Sequence, residues 1–435
     1  MIQGYSILRI ALLRIAVLAF VMGLPTTTTA VPVEPVWSLV QQQKPALVQT
    51  LQQLVNVESG SRDKEGLDRL SALIGQRLTA LGARVDYHEP SSDETSRLYD
   101  TPDAPGKIVI GRFQGKGSRN IMLMAHMDTV YPHGTLATRP FRIKGSRAYG
   151  PGIADDKGGI AAILHAVSIL QAMDFREFGT LTVVINGDEE ISSPASRALI
   201  QRLAAEQDVV LSCEPPLSKQ DEITLATSGI GLATLTVKGK ASHAGVNPEL
   251  GRNAIIELAH RILQANDLSD PEQRIKFNWT LMNGGQVRNI IPDKATAWAD
   301  VRVDRLADLG LIEQRYRERI ATQTSLVPDT TVEAGFEQRR PPLEVTDASR
   351  VLGRKAQVIY SEIGRALKVD ESGAGGGTDA AFAAVSGRPA VVESFGLIGF
   401  GFHSSDEEYV DLDSIEPRLY LLVRFIMEAS RASKD

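Results

Sequence analysis

The 435-residue chain has a single cysteine, Cys213, so it can form no internal disulfide and offers no thiolate cluster to a metal. Its stability therefore rests on its core. It has no basic excess either: the net charge is −6, and no Lys/Arg cluster is interleaved with the aromatic residues, which make up 6% of the chain. That balance excludes a nucleic-acid-binding face. No internal repeat or long low-complexity segment stands out. The 43% hydrophobic and 23% charged content belongs to an ordinary globular chain, long enough for two domains.

What is present begins with Arg9 and Arg14, an apolar run from Ile15 to Leu24, and small residues ending at Ala30. The pattern predicts a secretory signal peptide over residues 1–30, cleaved near Ala30. The run is short for a membrane anchor, which needs about 20 apolar residues. The expectation is an exported protein, periplasmic or secreted, with no membrane association after cleavage.

Residues 31–60 and "GLDRLSALIGQRLTALGARV" carry helical periodicity, with Gly82 a C-cap. Strands and helices then alternate: "KIVIGRF" and "NIMLMAHMDTV", the helix "DDKGGIAAILHAVSILQAM", the strand "TLTVVIN", the helix "PASRALIQRLAAEQ" and the strand "DVVLSCE". This rhythm predicts an α/β fold, a mostly parallel sheet flanked by helices, with ligand groups at the carboxyl ends of its strands. Near residue 226 the rhythm changes. Three strand-like runs, "GIGLATLTVKGK", "IKFNWTLMNG" and "KATAWADVRVD", with helices near 252–265 and 306–324, predict an inserted α+β domain. The plan is a large domain in two parts, 31–225 and 342–435, with a lid of residues 226–341.

The strand ends carry the chemistry. "TLTVVINGDEEISSP" ends an apolar strand in Asp188, Glu189 and Glu190, three adjacent acids that call for positive charge nearby. His126 closes another strand, and Asp128, two positions on, shares its face. Asp128 can accept from one ring nitrogen while the other meets a metal. Alone, a histidine on a strand is more often a satisfied core residue. Asp155 and Asp156 lie between glycines just before a helix, where Asp155 is equally suited to an N-cap. Glu214 closes a further strand and His403 sits in a glycine-rich loop. Four strand or loop ends finishing in His, Asp or Glu weaken the reading as independent caps. Oxygen and imidazole donors suit zinc, cobalt or manganese. They are too many for one tetrahedral ion; two ions sharing a carboxylate would use them all.

The motifs "HMD", "GPGIADDKGG", "GDEE", "CEP" and "FHSSDEEYV", in this order, resemble the co-catalytic di-zinc metallopeptidases related to aminoacylase. Within that family "ASHAGVNPELGRNA", "FNWT", "NIIP", "SGAGGGTDAAFAA" and "ESFGLIGFGFHS" are most similar to the bacterial glutamate carboxypeptidases. The resemblance covers essentially everything after the signal peptide. It implies a zinc-exopeptidase fold whose insertion is a lid and dimerisation domain, two Zn(II) per subunit, and a homodimer. By resemblance, His126 is a terminal ligand supported by Asp128, and Asp155 bridges both ions through a residue whose following peptide is cis. Glu190 and His403 complete one zinc site and Glu214 the other, and Glu189 holds the general-base position. His243 resembles the histidine that reaches across the dimer to polarise the scissile carbonyl. Asn289 and Arg302 match positions that hold a substrate's free α-carboxylate, with the amides of Gly375, Gly376 and Gly377 beside them. Arg340 would supply a second positive charge for a glutamate side chain. The chain departs from the pattern after "EP", where the glutamate-specific relatives lead one to expect a lysine. Here Lys219 is followed by Asp221 and Glu222.

Some features keep plainer readings. The "GAGGGTD" run lacks the lysine of a phosphate-binding loop. His165 reads as a core or boundary residue, His133 as a turn residue and Cys213 as a small buried hydrophobe. The implied function is a di-zinc carboxypeptidase removing a C-terminal amino acid, glutamate, from N-acyl or peptide substrates, folate-like compounds included. Its partner is then a small molecule with a free α-carboxylate. Rival readings are an aminoacylase or dipeptidase with another side-chain pocket, and a non-catalytic periplasmic binding protein.

Overall fold

The computed structural model describes residues 31–373, 375–404 and 406–431; the expected signal peptide lies outside them. Two amphipathic helices open the chain, α1 (Val36–Val55) and α2 (Lys64–Ala80). Asp63 caps α2 by accepting from the Gly66 amide. Gly82, at φ +86°, turns the chain just past the helix end, in a region that favours glycine. There follow β1 (Arg84–His88), β2 (Ile108–Gln114), β3 (Asn120–His126), α3 (Lys157–Ala172), β4 (Thr180–Asn186), α4 (Arg197–Ala204) and β5 (Val209–Ser212). Next come β6 (Gly229–Lys238), α5 (Ala254–Gln264), β7 (Lys276–Gly284), β8 (Lys294–Val303), α6 (Leu306–Thr322) and β9 (Thr331–Arg340). The chain ends with α7 (Asp347–Ser361), β10 (Ala390–Val392) and α8 (Ile415–Arg431).

The main sheet has the order β1-β2-β4-β3-β5-β10. The pairings β4/β3, β3/β5 and β5/β10 are parallel, and β1/β2 and β2/β4 antiparallel. The sheet is therefore mostly parallel, as the alternating rhythm predicts, and two-sided. Along β3, Ile121, Leu123 and Ala125 enter the core formed with α1, α2, α3 and α8, whereas Met122 and Met124 enter the one formed with α4. Period-two alternation in a continuous apolar run is what burial on both faces produces. Cys213 is fully buried, and His165 is buried with its ring nitrogens on Thr50 and Gln43. Among the described residues no helix is long and apolar enough to cross a membrane.

A second sheet, β7-β8-β6-β9, is antiparallel throughout. Its strands alternate: Ala295, Ala297, Ala299, Val301 and Val303 of β8 face α5 and α6, while Trp298, Asp300 and Arg302 face the other way. Strand β9 and helix α7 escape a reading for apolar periodicity. In β9, "TVEAGFEQRR", charged and polar residues fill six of the ten positions of an edge strand, so its apolar signal is faint. Tyr316 of α6 is fully buried at the centre of this unit, donating to the Thr234 carbonyl at 2.7 Å and touching Phe277, Trp279 and Phe336.

That placement yields a stability test. Tyr316→Ala should cost about 4 kcal/mol through the cavity it leaves. Tyr316→Phe, losing only the hydrogen bond, should cost about 1 kcal/mol. Denaturant titration followed by tryptophan fluorescence, with Trp279 and Trp298 in this sheet, reads both. Equal losses in the two variants would show that the ring is not a packing centre.

Candidate active site

Strands β4, β3 and β5 lie side by side and end on one rim, with His126 of β3 opposite Asn186 of β4. His126 closes its strand with Nδ1 turned to Asp128, 3.2 Å from Oδ1 and 3.1 Å from the carbonyl oxygen. Its Nε2 stands 2.9 Å from Asp155 Oδ1 and 3.4 Å from Glu214 Oε1. His403 lies across from it, Nε2 2.9 Å from Glu190 Oε2 and 3.3 Å from Asp155 Oδ2. Asp155 thus turns one oxygen to each imidazole. By these distances the rim brings together two adjoining sets, His126–Asp155–Glu214 and His403–Asp155–Glu190, and His126, Asp155 and Glu190 also offer ligand atoms within 4.8 Å of one another.

Other carboxylates hold these donors in place, and each is occupied by the backbone. Asp128, fully buried, accepts from the amides of Glu189 (3.0 Å) and Glu190 (3.1 Å) and from Ser61 Oγ (2.7 Å), so one side chain ties β3 to the acid turn. The N-cap expected as an alternative for Asp155 falls to Asp156. Its Oδ1 accepts from the Gly159 amide at 3.1 Å and its Oδ2 from the His126 amide at 3.3 Å, and the Asp155–Asp156 peptide is cis. Asp188 accepts from the amides of Ala195 and Ser196 and stays out of the cluster. Glu408, which sequence reasoning passed over, accepts from the amides of Gly152, Ala154 and Asp155 at 2.7–3.0 Å and cradles the loop that presents Asp155. The "FHSSDEEYV" motif contained it; only the fold shows what it holds.

The electrostatics follow from crowding anions away from water. Burial pushes Glu214 up to about 8, with Asp155 adding repulsion, and burial pushes Glu190 up to about 7 for the same pair of reasons. The hydrogen bond to Glu190 raises His403 to about 9. Burial alone would lower His126, but Glu214, Asp128 and Asp155 reverse this and hold the ring well above its ordinary range. Crowded carboxyl groups facing imidazoles in an all-oxygen and nitrogen basin fit divalent cations well. A cation there would offset the repulsion among them.

A cavity of about 670 Å³ opens onto Asp155, Glu189, Glu190, Glu214 and His403. Its opposite wall is the outward face of the second sheet, with Leu232, Trp298 and Arg302, and Gly375 and Gly376 complete it. Arg302 makes paired bonds to Asp300 at 2.8 and 2.9 Å. Arg340, fully buried, is engaged by protein groups: its fork binds Glu189 Oε1 and the Glu189 and Gly377 carbonyls, with Asp379 at 3.2 Å. In this structure it anchors Glu189 instead of standing free for a substrate anion. His243 and Asn289 do not line this cavity. They neighbour each other where Ser242–His243 pairs with Ile290–Ile291; His243 is exposed, its Nδ1 accepting from the Gly245 and Val246 amides at 3.1 Å.

Comparison with known proteins places the chain in a family. The model of "Peptidase family M20/M25/M40" matches residues 122–428. The chain belongs to that family. Carboxypeptidase G2 of Pseudomonas sp. (strain RS-16) is 41% identical over 423 residues, covering 97% of this chain and 98% of the relative. A succinyl-diaminopimelate desuccinylase of Rhodospirillum centenum is 29% identical over 84% of this chain and 92% of its own length. Among solved structures, an M20 family metallo-carboxypeptidase from Sulfolobus solfataricus shares the fold, with TM-score 0.69 and 16% identity over 90% of this chain and all of that one. The α/β fold described above is thus shared with an M20 family structure.

The raised carboxyl groups set a pH dependence. A group whose folded value lies above its ordinary value stabilises the fold at low pH and loses that contribution as pH rises through the folded value. For Glu190 and Glu214 the window runs from their ordinary 4.5 to about 7 and about 8. Chelator-treated protein should therefore melt at progressively lower temperature between pH 5 and pH 8.5, and added zinc should raise the melting temperature more at pH 8 than at pH 5. A flat profile without metal would show that the buried carboxylates are balanced in another way.

Proposed function

We propose that this protein is an exported, homodimeric carboxypeptidase. It would use two Zn(II) per subunit to hydrolyse the amide bond before a C-terminal glutamate in N-acyl or peptide substrates, folate-like compounds included. The observation that carries the reading is Asp155, set between His126 and His403 with one oxygen toward each. A pair of Zn(II) ions held there would supply Lewis acidity, making water nucleophilic and polarising the scissile carbonyl. His126, Asp155 and Glu214 would hold one ion and His403, Glu190 and Asp155 the other.

Glu189 is the base. Its backbone amide is fixed by Asp128 and its Oε1 by Arg340, which leaves Oε2 to take a proton from water and hand it to the departing amine. Burial holds this carboxyl well above the usual range despite the nearby Arg340. Arg302 faces the cavity beside Gly375, its Nη1 3.5 Å from that carbonyl, and with the amides of the glycine run would receive the α-carboxylate. His243 and Asn289 would act in the partner subunit's cavity. Two features support a dimer: both residues lie outside their own cavity, and apolar side chains are exposed on the second-sheet unit, Leu263 of α5 at 75% and Met282 of the edge strand β7 at 56%.

A second reading, a dipeptidase or aminoacylase with another side-chain preference, draws on one observation. Arg302, Arg339 and Arg340 each already face a carboxylate of this chain, Asp300, Asp100 and Glu189. Glu222, near the place where a lysine is expected, is buried and paired with Lys368 at 2.6 Å. Rates on N-acyl-glutamate, N-acyl-alanine and a dipeptide panel separate the readings; equal rates on all would remove the glutamate preference. For the mechanism, Glu189→Ala should keep its zinc and lose about 10³-fold in kcat, at the scale of a lost general base. Asp155→Ala should lose metal itself. Metal analysis of both variants beside kinetics tests this, and a fully active Glu189→Ala would overturn the assignment of the base.

A further inference from the structure

Strand β9 leaves the second sheet with two consecutive arginines, and they part company. Arg340 reaches Glu189 itself. Arg339, 7% exposed, turns to the other side of the same turn: Nη2 donates to the Ile191 carbonyl at 2.9 Å and Nε to Ser192 Oγ at 3.2 Å. The turn it grips, Glu189–Ile191 closed by Ser192 at φ +69°, carries both the base and a donor of the His403 set. Nothing in the "GDEE" motif or its spacing points to a distant arginine.

The charge of Arg339 is met at closest range by the loop between β1 and β2, with Glu337 Oε2 of β9 farther off, 3.5 Å from Nη1. Asp100 Oδ1 lies 2.6 Å from Nη2, and Asp100 is itself held by Arg62, which donates to its carbonyl at 3.1 Å. The neighbouring Tyr99 packs on Trp298 of β8 with ring centroids 5.4 Å apart, and the Ser96 amide donates to the Pro194 carbonyl at 2.8 Å, just beyond the turn. Three segments distant in sequence thus meet at one guanidinium: the β1–β2 loop, the second sheet and the acid turn.

We propose that Arg339, neutralised by Asp100, is a positioning residue for Glu189, fixing from the second sheet the turn on which the base is carried. It touches no reacting atom. The planar fork suits the task because it meets a carbonyl, a hydroxyl and a carboxylate in one plane, which a lysine cannot do. This rests on the function proposed above for Glu189, so the test includes a readout that needs no turnover.

In the full chain with zinc supplied, Arg339→Met should lower kcat at least 10-fold with KM within threefold and two zinc ions retained. Arg339→Lys should fall between it and the parent. Asp100→Asn should act in the same direction, more weakly, and add nothing in the Arg339→Met background. Hydrogen exchange, run with and without chelator, should accelerate at least 10-fold at the amides of Glu189, Ser192 and Ser193 in Arg339→Met, with the amides of α8 unchanged. Unchanged exchange at the turn, or equal acceleration in α8, overturns the proposal whatever the kinetics. If the parent protein hydrolyses no N-acyl amino acid while the turn amides respond as stated, the assigned function fails and the positioning role stands. Should Arg339→Met not fold, Arg339→Lys and Asp100→Asn decide by the same exchange measurement.

Discussion

Negative charge buried on one rim of the main sheet is the constraint on which the site depends. The fold contains two kinds of buried carboxylate there. Asp128, Asp156, Asp188 and Glu408 have oxygens met by backbone amides, and those amides belong to the segments that must be held still. Asp155, Glu190 and Glu214 instead turn their oxygens toward imidazoles and toward one another. The first kind is paid for by hydrogen bonds made on folding; the second is left short of positive charge. A protein that only needed stability would replace the second kind with apolar side chains. Three such groups together form a place for positive charge, which agrees with the metal dependence of the M20 family.

The division also explains which parts of the site can be read from sequence. His126, Glu189, Glu190 and Glu214 end or follow strands, so apolar runs mark where they fall, and a parallel sheet brings such ends together. Asp155 was ambiguous for a reason visible in the structure: one of two adjacent aspartates must cap α3, and only the bonds made by Asp156 settle which. Glu408 and Arg339 were invisible because their partners are backbone groups and loops hundreds of residues away or nearly so, which no local pattern records. In the fold, the main strands and helices were legible from periodicity. Strand β9 was not, since an edge strand that ends in two arginines and alternates weakly looks like a charged loop.

Strand β9 is also where the two sheets become one machine part. Its far end pairs only within the second sheet, but Arg339 and Arg340 at its near end bind the acid turn of the main sheet. The second sheet is therefore tied directly to the turn that carries Glu189 and Glu190.

The alternation of β8 separates stability from recognition. Residues 295, 297, 299, 301 and 303 fill the core against α5 and α6, and their neighbours Trp298, Asp300 and Arg302 line the cavity wall. A slip of one residue in register would exchange the two sets and destroy both, so register is under strong constraint. Within that register each cavity-facing position can change without opening a void in the core behind it. From Trp298 to Arg302 the wall passes over four residues, about 13 Å at 3.3 Å per residue, from an aromatic surface to a cation paired with Asp300. The wall's gradient and the carboxylate–imidazole cluster face the same cavity, so a molecule shaped to that wall, with an apolar end and an anionic end, would lie against the cluster as well.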